Sequence, residues 1–306
     1  MSGGGKPGLT ATLNRGWWHT HKWLVLRRVS QFGILGLFLL GPLAGVRIID
    51  GNLSSSLLLD TVPMTDPLLF LQMLVAGFLV PAGTAVLGAA LVLGFYLLVG
   101  GRVFCSWVCP VNLVTDGAGW LRLRLDLHSG INLARSARYW MLALVLLLAL
   151  VTGSLAYELV NPVSLLHRGI IFGLGSAAFV ALALFLFDLF VARRGWCGHL
   201  CPMGAFYGLV GAVSPVRVRA DQRAACDDCM ECFVVCPEPQ VIRPALKGAE
   251  AGRGPVILAG ECTNCGRCIE VCPQEVFAFG LRYPNRERGQ GSQTRGSPGL
   301  SKGAAT

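Results

Sequence analysis

Four apolar runs govern what this chain can fold into. They extend from about Val29 to Ile49, Phe78 to Val99, Tyr139 to Tyr157 and Gly169 to Val191, each near the roughly 20 residues that an α-helix needs to cross a bilayer's hydrocarbon core. Unpaired backbone groups are too costly inside lipid, so such runs become helices. Of the 306 residues, 53% are hydrophobic and 14% charged, and the mean hydropathy is +0.58. That composition excludes an ordinary soluble domain. The expectation is an α-helical membrane protein with four transmembrane helices.

Charge sets the orientation. Lys6, Arg15, Lys22, Arg27 and Arg28 precede the first run without an acidic residue, and the second loop carries Arg102, Arg122, Arg124, Arg135 and Arg138. The first loop holds Asp50, Asp60 and Asp66, with no lysine or arginine between Asp50 and Gly101. Basic loops stay inside, so both termini and the second loop are expected on the cytoplasmic side of the inner membrane, in a multi-pass chain. The net charge of +9 then reflects that bias and calls for no nucleic-acid partner. "LRRVSQFG" resembles a twin-arginine export signal, but it fits better as the basic flank of an uncleaved first span. The uncharged stretch from Pro67 to Gly101 exceeds one span and is interrupted by Pro81 and Gly83, so part of it is expected to be interfacial or re-entrant. "GWWHTHKWLVLRR" is expected at the headgroups. Residues 1–13 and 284–306 lack apolar periodicity and are expected to be disordered. Asp188 is expected to pair with Arg193 or Arg194.

Twelve cysteines stand in close, metal-type spacings rather than the pattern of a disulfide framework. "CDDCMECFVVCPEP" and "CTNCGRCIEVCPQE" both read C-x2-C-x2-C-x3-C-P, the bacterial run for paired [4Fe–4S] clusters, in which the fourth cysteine serves the other cluster. Cys226, Cys229, Cys232 and Cys272 are therefore assigned to one cluster, and Cys262, Cys265, Cys268 and Cys236 to the second. Zinc, which also accepts four thiolates, is the alternative. "VRVRA" and "VFAFGLR" read as outer strands, and "QVIRPAL" with "PVILAG" as a hairpin between the motifs, giving an α+β two-cluster ferredoxin-like domain.

The remaining cysteines form two shorter copies, "VFCSWVCP" and "GWCGHLCP". Each ends a pair of apolar runs, so the membrane part reads as two tandem hairpins, Val29–Pro110 and Tyr139–Pro202. Packed about a pseudo-two-fold axis, the hairpins would bring Cys105, Cys109, Cys197 and Cys201 together as one shared third iron–sulfur site. The alternative is four inert buried cysteines. No histidine falls within the four runs, no C-x-x-C-H occurs and no G-x-G-x-x-G follows a strand. Haem, flavin and nicotinamide cofactors are accordingly not expected. The segments are 1–28, cytoplasmic or interfacial; 29–213, membrane; 214–283, ferredoxin-like; and 284–306, tail.

The order of these features, "GWWHTHKWLVLRR", four spans, "CSWVCP", "CGHLCP" and a terminal two-cluster domain, resembles the NapH family from about Gly16 to Tyr283. The resemblance implies the membrane ferredoxin-type quinol dehydrogenase subunit of a periplasmic nitrate reductase system. It would draw on the membrane quinol pool and work with a partner ferredoxin-type subunit and a membrane-anchored multihaem cytochrome c. Similar proteins serve methylamine utilisation, which is the alternative pathway. Electron transfer competes with two other function classes: iron–sulfur maturation or assembly, and thiol or metal handling by the C-x3-C-P pairs. No catalytic residue is assigned. Asp60, Asp66, Asn161 and His167 are the candidates for handling quinol protons, against the plainer reading that they cap helices.

Overall fold

The computed structural model describes residues 7–45, 48–77, 83–127, 130, 131, 133–173 and 175–283. The expected tail, 284–306, lies outside the described residues, as do Pro81 and residues 1–6.

The amino-terminal segment is ordered where disorder was expected. Helix α1 (Leu9–Arg15) buries Ala11 completely, and Gly16, at φ 80°, turns the chain into α2 (Trp17–Ala44). α2 has 28 residues and is long and apolar enough to cross a membrane; among the described residues it is the only such helix. The expected interfacial segment is its first turns. Arg27, Gln31, Leu35 and Phe38 recur at helical spacing and form its buried face.

Three short strands follow where only a loop was expected. β1 (Ile49–Gly51), β2 (Ser55–Leu58) and β3 (Val62–Thr65) make an antiparallel meander. Pro63 is tolerated because β3 is an edge. The long uncharged stretch becomes two helices, α3 (Pro67–Val75) and α4 (Gly83–Val99). Asp66 caps α3 by accepting from Leu69 N at 3.0 Å, with Pro67 opening the helix. β3 lies along α4 at Gly88, where a Cβ would sit 2.9 Å from Pro63 O.

The first C-x3-C-P copy spans α5 (Val103–Trp107) and the entry to α6 (Val111–Arg124). Next come α7 (Ala137–Thr152), α8 (Ala156–Val160), α9 (Pro162–Phe172) and α10 (Ser176–Leu186), the last continuing as a π-helical turn to Val191. The fourth run is thus not one helix. Gly173, at φ 66°, breaks it, and Gly169 packs on Ala177 where α9 and α10 cross. The second C-x3-C-P copy begins in a π-helical turn, Trp196–Leu200, and opens α11 (Pro202–Gly211). The two halves exchange helices: α2 meets α9 as α7 meets α3, and α6 meets α10 as α11 meets α4. This is the contact pattern of a pseudo-two-fold pair.

The carboxy-terminal unit is framed by β4 (Val216–Arg219) and β5 (Ala278–Leu281), antiparallel as expected. Between them lie α12 (Glu231–Val235), α13 (Ile242–Lys247) and α14 (Arg267–Val271). The expected hairpin does not form. "QVIRPAL" is helical from Pro239, and "PVILAG" contributes one isolated bridge, Val256 to Arg219. Pro239 is well placed at a helix start, and Pro244 removes a donor that a strand would need. This unit docks on α11 at Gly260, where a Cβ would clash with Gly208 O at 2.0 Å.

Candidate iron–sulfur sites

The two ferredoxin motifs adopt one backbone form. Asp228 and Met230 in the first loop have φ of 59° and 61°, and Asn264 and Gly266 in the second have 46° and 74°. Alternating left-handed residues curl each loop into a concavity lined by backbone N–H groups, which suits an anionic cluster. Cys236 and Cys272 then follow α12 and α14 with extended backbone, as the next residue, proline, requires.

The cysteines are brought together in the expected sets. Cys226, Cys229, Cys232 and Cys272 line one cavity with Leu246 and Phe277. Cys236, Cys262, Cys265 and Cys268 line another with Val218 and Ile257. Among the described residues, no three cysteine, histidine, aspartate or glutamate side chains close on a single-ion site. Four thiols around an open cavity fit a four-iron cube better than a tetrahedral zinc ion, whose Zn–S bonds are about 2.3 Å. The crossed pairing of the fourth cysteines follows from α12 packing against α14.

The two sites differ in surroundings. The first is open, with Cys229 exposed, and carries Asp227, Asp228 and Glu231. Lys247 pairs with Asp228, and Glu231 accepts from Gly8 N at 2.8 Å. The second is buried and cationic. Arg27, 2% exposed, donates to Cys265 O and pairs with Glu270. Burial pushes the Cys265 thiol up, but the Arg27 and Arg267 guanidiniums outweigh it and hold the thiol below its ordinary value. Trp23 rests directly on Gly266, its Cβ 3.0 Å from where a side chain would begin.

Two buried charge centres that sequence reasoning missed join this site to the helices. Asp116 on α6 accepts from Arg28 at 2.8 Å and Arg194 at 2.9 Å, and pairs with Arg267. Glu238 accepts from Arg102 at 2.6 Å and Arg138 at 2.8 Å. Arg194 is therefore engaged with Asp116, and Arg193 donates to Val234 O, so neither pairs with Asp188 as expected. Asp188 instead accepts from Trp196 N at 3.2 Å.

The C-x3-C-P cysteines converge. Cys109 and Cys201 are buried in one core cluster, with Cys105 and Cys197 packed against it. Each of the four thiols lies close enough to the other three to be influenced electrostatically. Cys201 caps α11, accepting from Gly204 N at 3.3 Å. Arg102 donates to Cys197 O at 3.0 Å and to Glu261 O at 3.0 Å, linking this quartet to the residue before Cys262.

Of the four candidates for quinol protons, Asp66 and Asn161 fall in one polar neighbourhood. Asp66 N donates to Ser54 O at 2.9 Å, the Ser54 and Ser164 hydroxyls lie 2.9 Å apart, and Asn161 Nδ2 donates to Ser164 Oγ at 3.2 Å. Asp60 is apart from them in the exposed β2–β3 turn. His167 is fully buried against Phe38, and neither ring nitrogen has a hydrogen-bond partner among the described residues.

Two four-cysteine cavities on a ferredoxin-type unit, joined to a bundle of apolar helices, define an iron–sulfur electron-transfer protein. A family model described as a 4Fe-4S dicluster domain matches residues 225–276. A second, described as a 4Fe-4S binding domain, matches twice, at residues 81–128 and 173–220. Those two segments are offset by the same number of residues as the two C-x3-C-P pairs. The chain is 49% identical over 277 residues to ferredoxin-type protein NapH of Escherichia coli, covering 90% of this chain and 95% of that protein. It is 53% identical over 268 residues to methylamine utilization ferredoxin-type protein MauN of Methylorubrum extorquens, covering 88% and 92%. No solved structure matches. The chain belongs to the NapH family of ferredoxin-type proteins, is similar over most of its length to MauN, and is a [4Fe–4S] protein of electron transport.

Proposed function

We propose that this chain oxidises membrane quinol and hands the electrons through its clusters to a partner. The observation that carries this reading is the seam at which apolar helices meet the second cluster loop. Trp107 donates to Asn264 O at 3.2 Å, and Ser106 donates to Thr263 O at 2.8 Å. A lipid-soluble donor held among the helices then has a short route to iron. The ligands are Cys226, Cys229, Cys232 and Cys272 for the first cluster, and Cys262, Cys265, Cys268 and Cys236 for the second. The converging quartet of Cys105, Cys109, Cys197 and Cys201 is the shared third site, and family-model matches described as 4Fe-4S binding support it.

The apolar helices are membrane-embedded in this reading, with α2 crossing and α4, α7 and α10 making up the rest of the bundle. Both termini face the cytoplasm, because the basic residues collect on the ferredoxin side. A periplasm-active reporter placed after Tyr283 is silent, and one inserted at the exposed β2–β3 turn is active; the reverse overturns the orientation. The electrons continue, with a partner ferredoxin-type subunit and a multihaem cytochrome c, to periplasmic nitrate reductase. Similarity to MauN supports methylamine utilisation as the second reading.

The test is stopped-flow reduction of the purified protein in nanodiscs. Electron transfer from quinol predicts cluster bleaching by a short-chain quinol on the turnover timescale. Clusters reduced by dithionite but inert to quinol mean a maturation or assembly role instead.

A further inference from the structure

A cavity of about 820 Å³ lies beside the iron–sulfur sites rather than within them. It runs along α2 from Trp23 to Phe38, roughly 22 Å at 1.5 Å per residue. α4 forms the opposite wall, the β-sheet closes one end, and α5 with the second cluster loop closes the other. Val62, Met64, Leu91 and Phe95 line it and are exposed, so its rim lies on β3 and α4.

The chemistry of the walls selects the occupant. Among the described residues no lysine or arginine lines the cavity, so phosphate- or carboxylate-bearing ligands have no partner. The walls are apolar apart from a few groups, the most concentrated being Asp66, Tyr207 and Tyr96. Asp66, 7% exposed, accepts from Tyr207 OH at 2.9 Å and from Leu69 N at 3.0 Å. Among the described residues its partners are a phenol and a backbone amide, not a cation. A buried carboxylate without a countercharge is a ready proton acceptor. Phe104 stacks on Tyr207 and supplies a flat aromatic face. An apolar slot with a few convergent polar groups is the usual form of a small-molecule site.

We propose that this cavity is the quinol site, with the ring held between Asp66, Tyr96 and Phe104 and the isoprenoid tail leaving past Leu91 and Phe95. The proposal rests on the quinol reading above and adds the place and the proton acceptor. Asp66 takes the proton of a quinol hydroxyl, and oxidised [4Fe–4S] clusters held by the neighbouring cysteines would accept the two electrons, one each. Asp66, once it has passed the first proton on, takes the second, so one quinol would yield one quinone, two protons and two reduced clusters. Phe104 and Trp107 flank Cys105 on one side, and Asn264, between Cys262 and Cys265, lines the cavity on another. Two acceptors are thus adjacent. Protons leave through the polar group behind Asp66, where Ser54 Oγ donates to the half-buried Glu158 at 2.6 Å.

The test uses the full chain in nanodiscs. Asp66→Asn keeps an acceptor for Tyr207 and Leu69 N but cannot take a proton, and Val92→Trp fills the slot. Asp66→Asn is expected to slow reduction by quinol about 100-fold, the contribution typical of a general base, and Val92→Trp to block it, with iron content and dithionite reduction unchanged in both. Asp66→Glu recovers part of the rate. An azidoquinone labels peptides within 58–66 and 91–107 of the wild type. Variants with full iron content and wild-type quinol rates, or label confined to other peptides, overturn the site. If Asp66→Asn loses iron, Val92→Trp and the label decide. Wild type inert to quinol is a different result, and removes the quinol reading itself.

Discussion

Arg102 and Glu238 meet at 2.6 Å in the seam between the helices and the ferredoxin-type unit, and both side chains are almost wholly buried. Burial raises the Glu238 carboxyl, but the Arg102 and Arg138 guanidiniums outweigh it and hold the acid below its usual range. Glu238 therefore bridges two buried cations, the second of which, Arg138, also meets Glu261 at 3.4 Å. Through Arg102 it also ties the Cys197 carbonyl, and through Arg138 the Gly198 carbonyl, to the loop that carries Cys236, so a buried charge cluster helps set the quartet relative to the second cluster.

Removing Glu238 should cost more than one ordinary contact. Glu238→Ala strips the buried Arg102 of this carboxylate and leaves Arg138 dependent on the more exposed Glu261 at 3.4 Å, a change worth about 3–5 kcal/mol for a broken buried pair. Chemical denaturation in detergent should show that loss, with the second cluster's signal disappearing before the first's. Equal loss of both signals would mean that the pair does not position the seam.

Asp116 predicts a pH dependence. Burial raises its carboxyl, but Arg267, Arg194 and Arg28 together bring it well below the usual carboxylate range. A folded-state value below the unfolded one, about 3.9, contributes stability that is present above that pH and fades as the pH falls below it. Wild type should therefore exceed Asp116→Asn in stability at pH 7, and the gap should narrow below about pH 4. Cluster acid lability is common to both proteins, so the quantity to follow is their difference in denaturation midpoint. A gap that stays constant down to pH 3 would show that Asp116 is not linked to folding.

How much was readable in advance depended on how local each cause is. The eight ferredoxin cysteines were legible because cluster loops are written in consecutive residues, and the structure gathers those sets. The hairpin around "QVIRPAL" was misjudged on β-branched residues, although Pro239 already spoke for a helix start and Pro244 against a strand. Gly173 breaks the fourth run, which composition alone does not register. The Asp116 centre was invisible because its partners Arg28 and Arg267 stand 88 and 151 positions away. Only the exchange of helices between the two halves brings them together. The repeat itself was legible, since identical spacing in "CSWVC" and "CGHLC" needs no fold to be seen.

Redox potential should separate the two ferredoxin clusters. Adding an electron adds negative charge, so the acids around the first cluster disfavour reduction and the arginines around the second favour it. The first cluster should have the lower potential. Arg267→Glu should lower the potential of the second cluster alone, by on the order of 100–150 mV for a two-unit charge change about 10 Å away at an effective dielectric near 20. A redox titration followed by EPR measures this. A shift in both clusters, or in neither, would show that solvent exposure rather than local charge sets the order.

Iron content decides the quartet. Burial pushes the thiols of Cys105, Cys109, Cys197 and Cys201 up, so as free thiols they stay protonated. Cys201 nevertheless receives the Gly204 N–H and Cys105 faces Arg102, donors suited to a thiolate sulfur. Those donors would be wasted on four inert apolar packers, and the quartet lies where the two halves exchange helices. Wild type should hold about twelve irons and twelve acid-labile sulfides per chain, the content of three four-iron clusters. Changing all four cysteines to serine should remove about four of each and leave both ferredoxin signals intact. Should the quadruple variant not accumulate, Cys105→Ser alone, with one ligand missing, should still lower the count or convert the third signal. A wild-type count near eight, the content of two such clusters, would mean that these cysteines carry no iron.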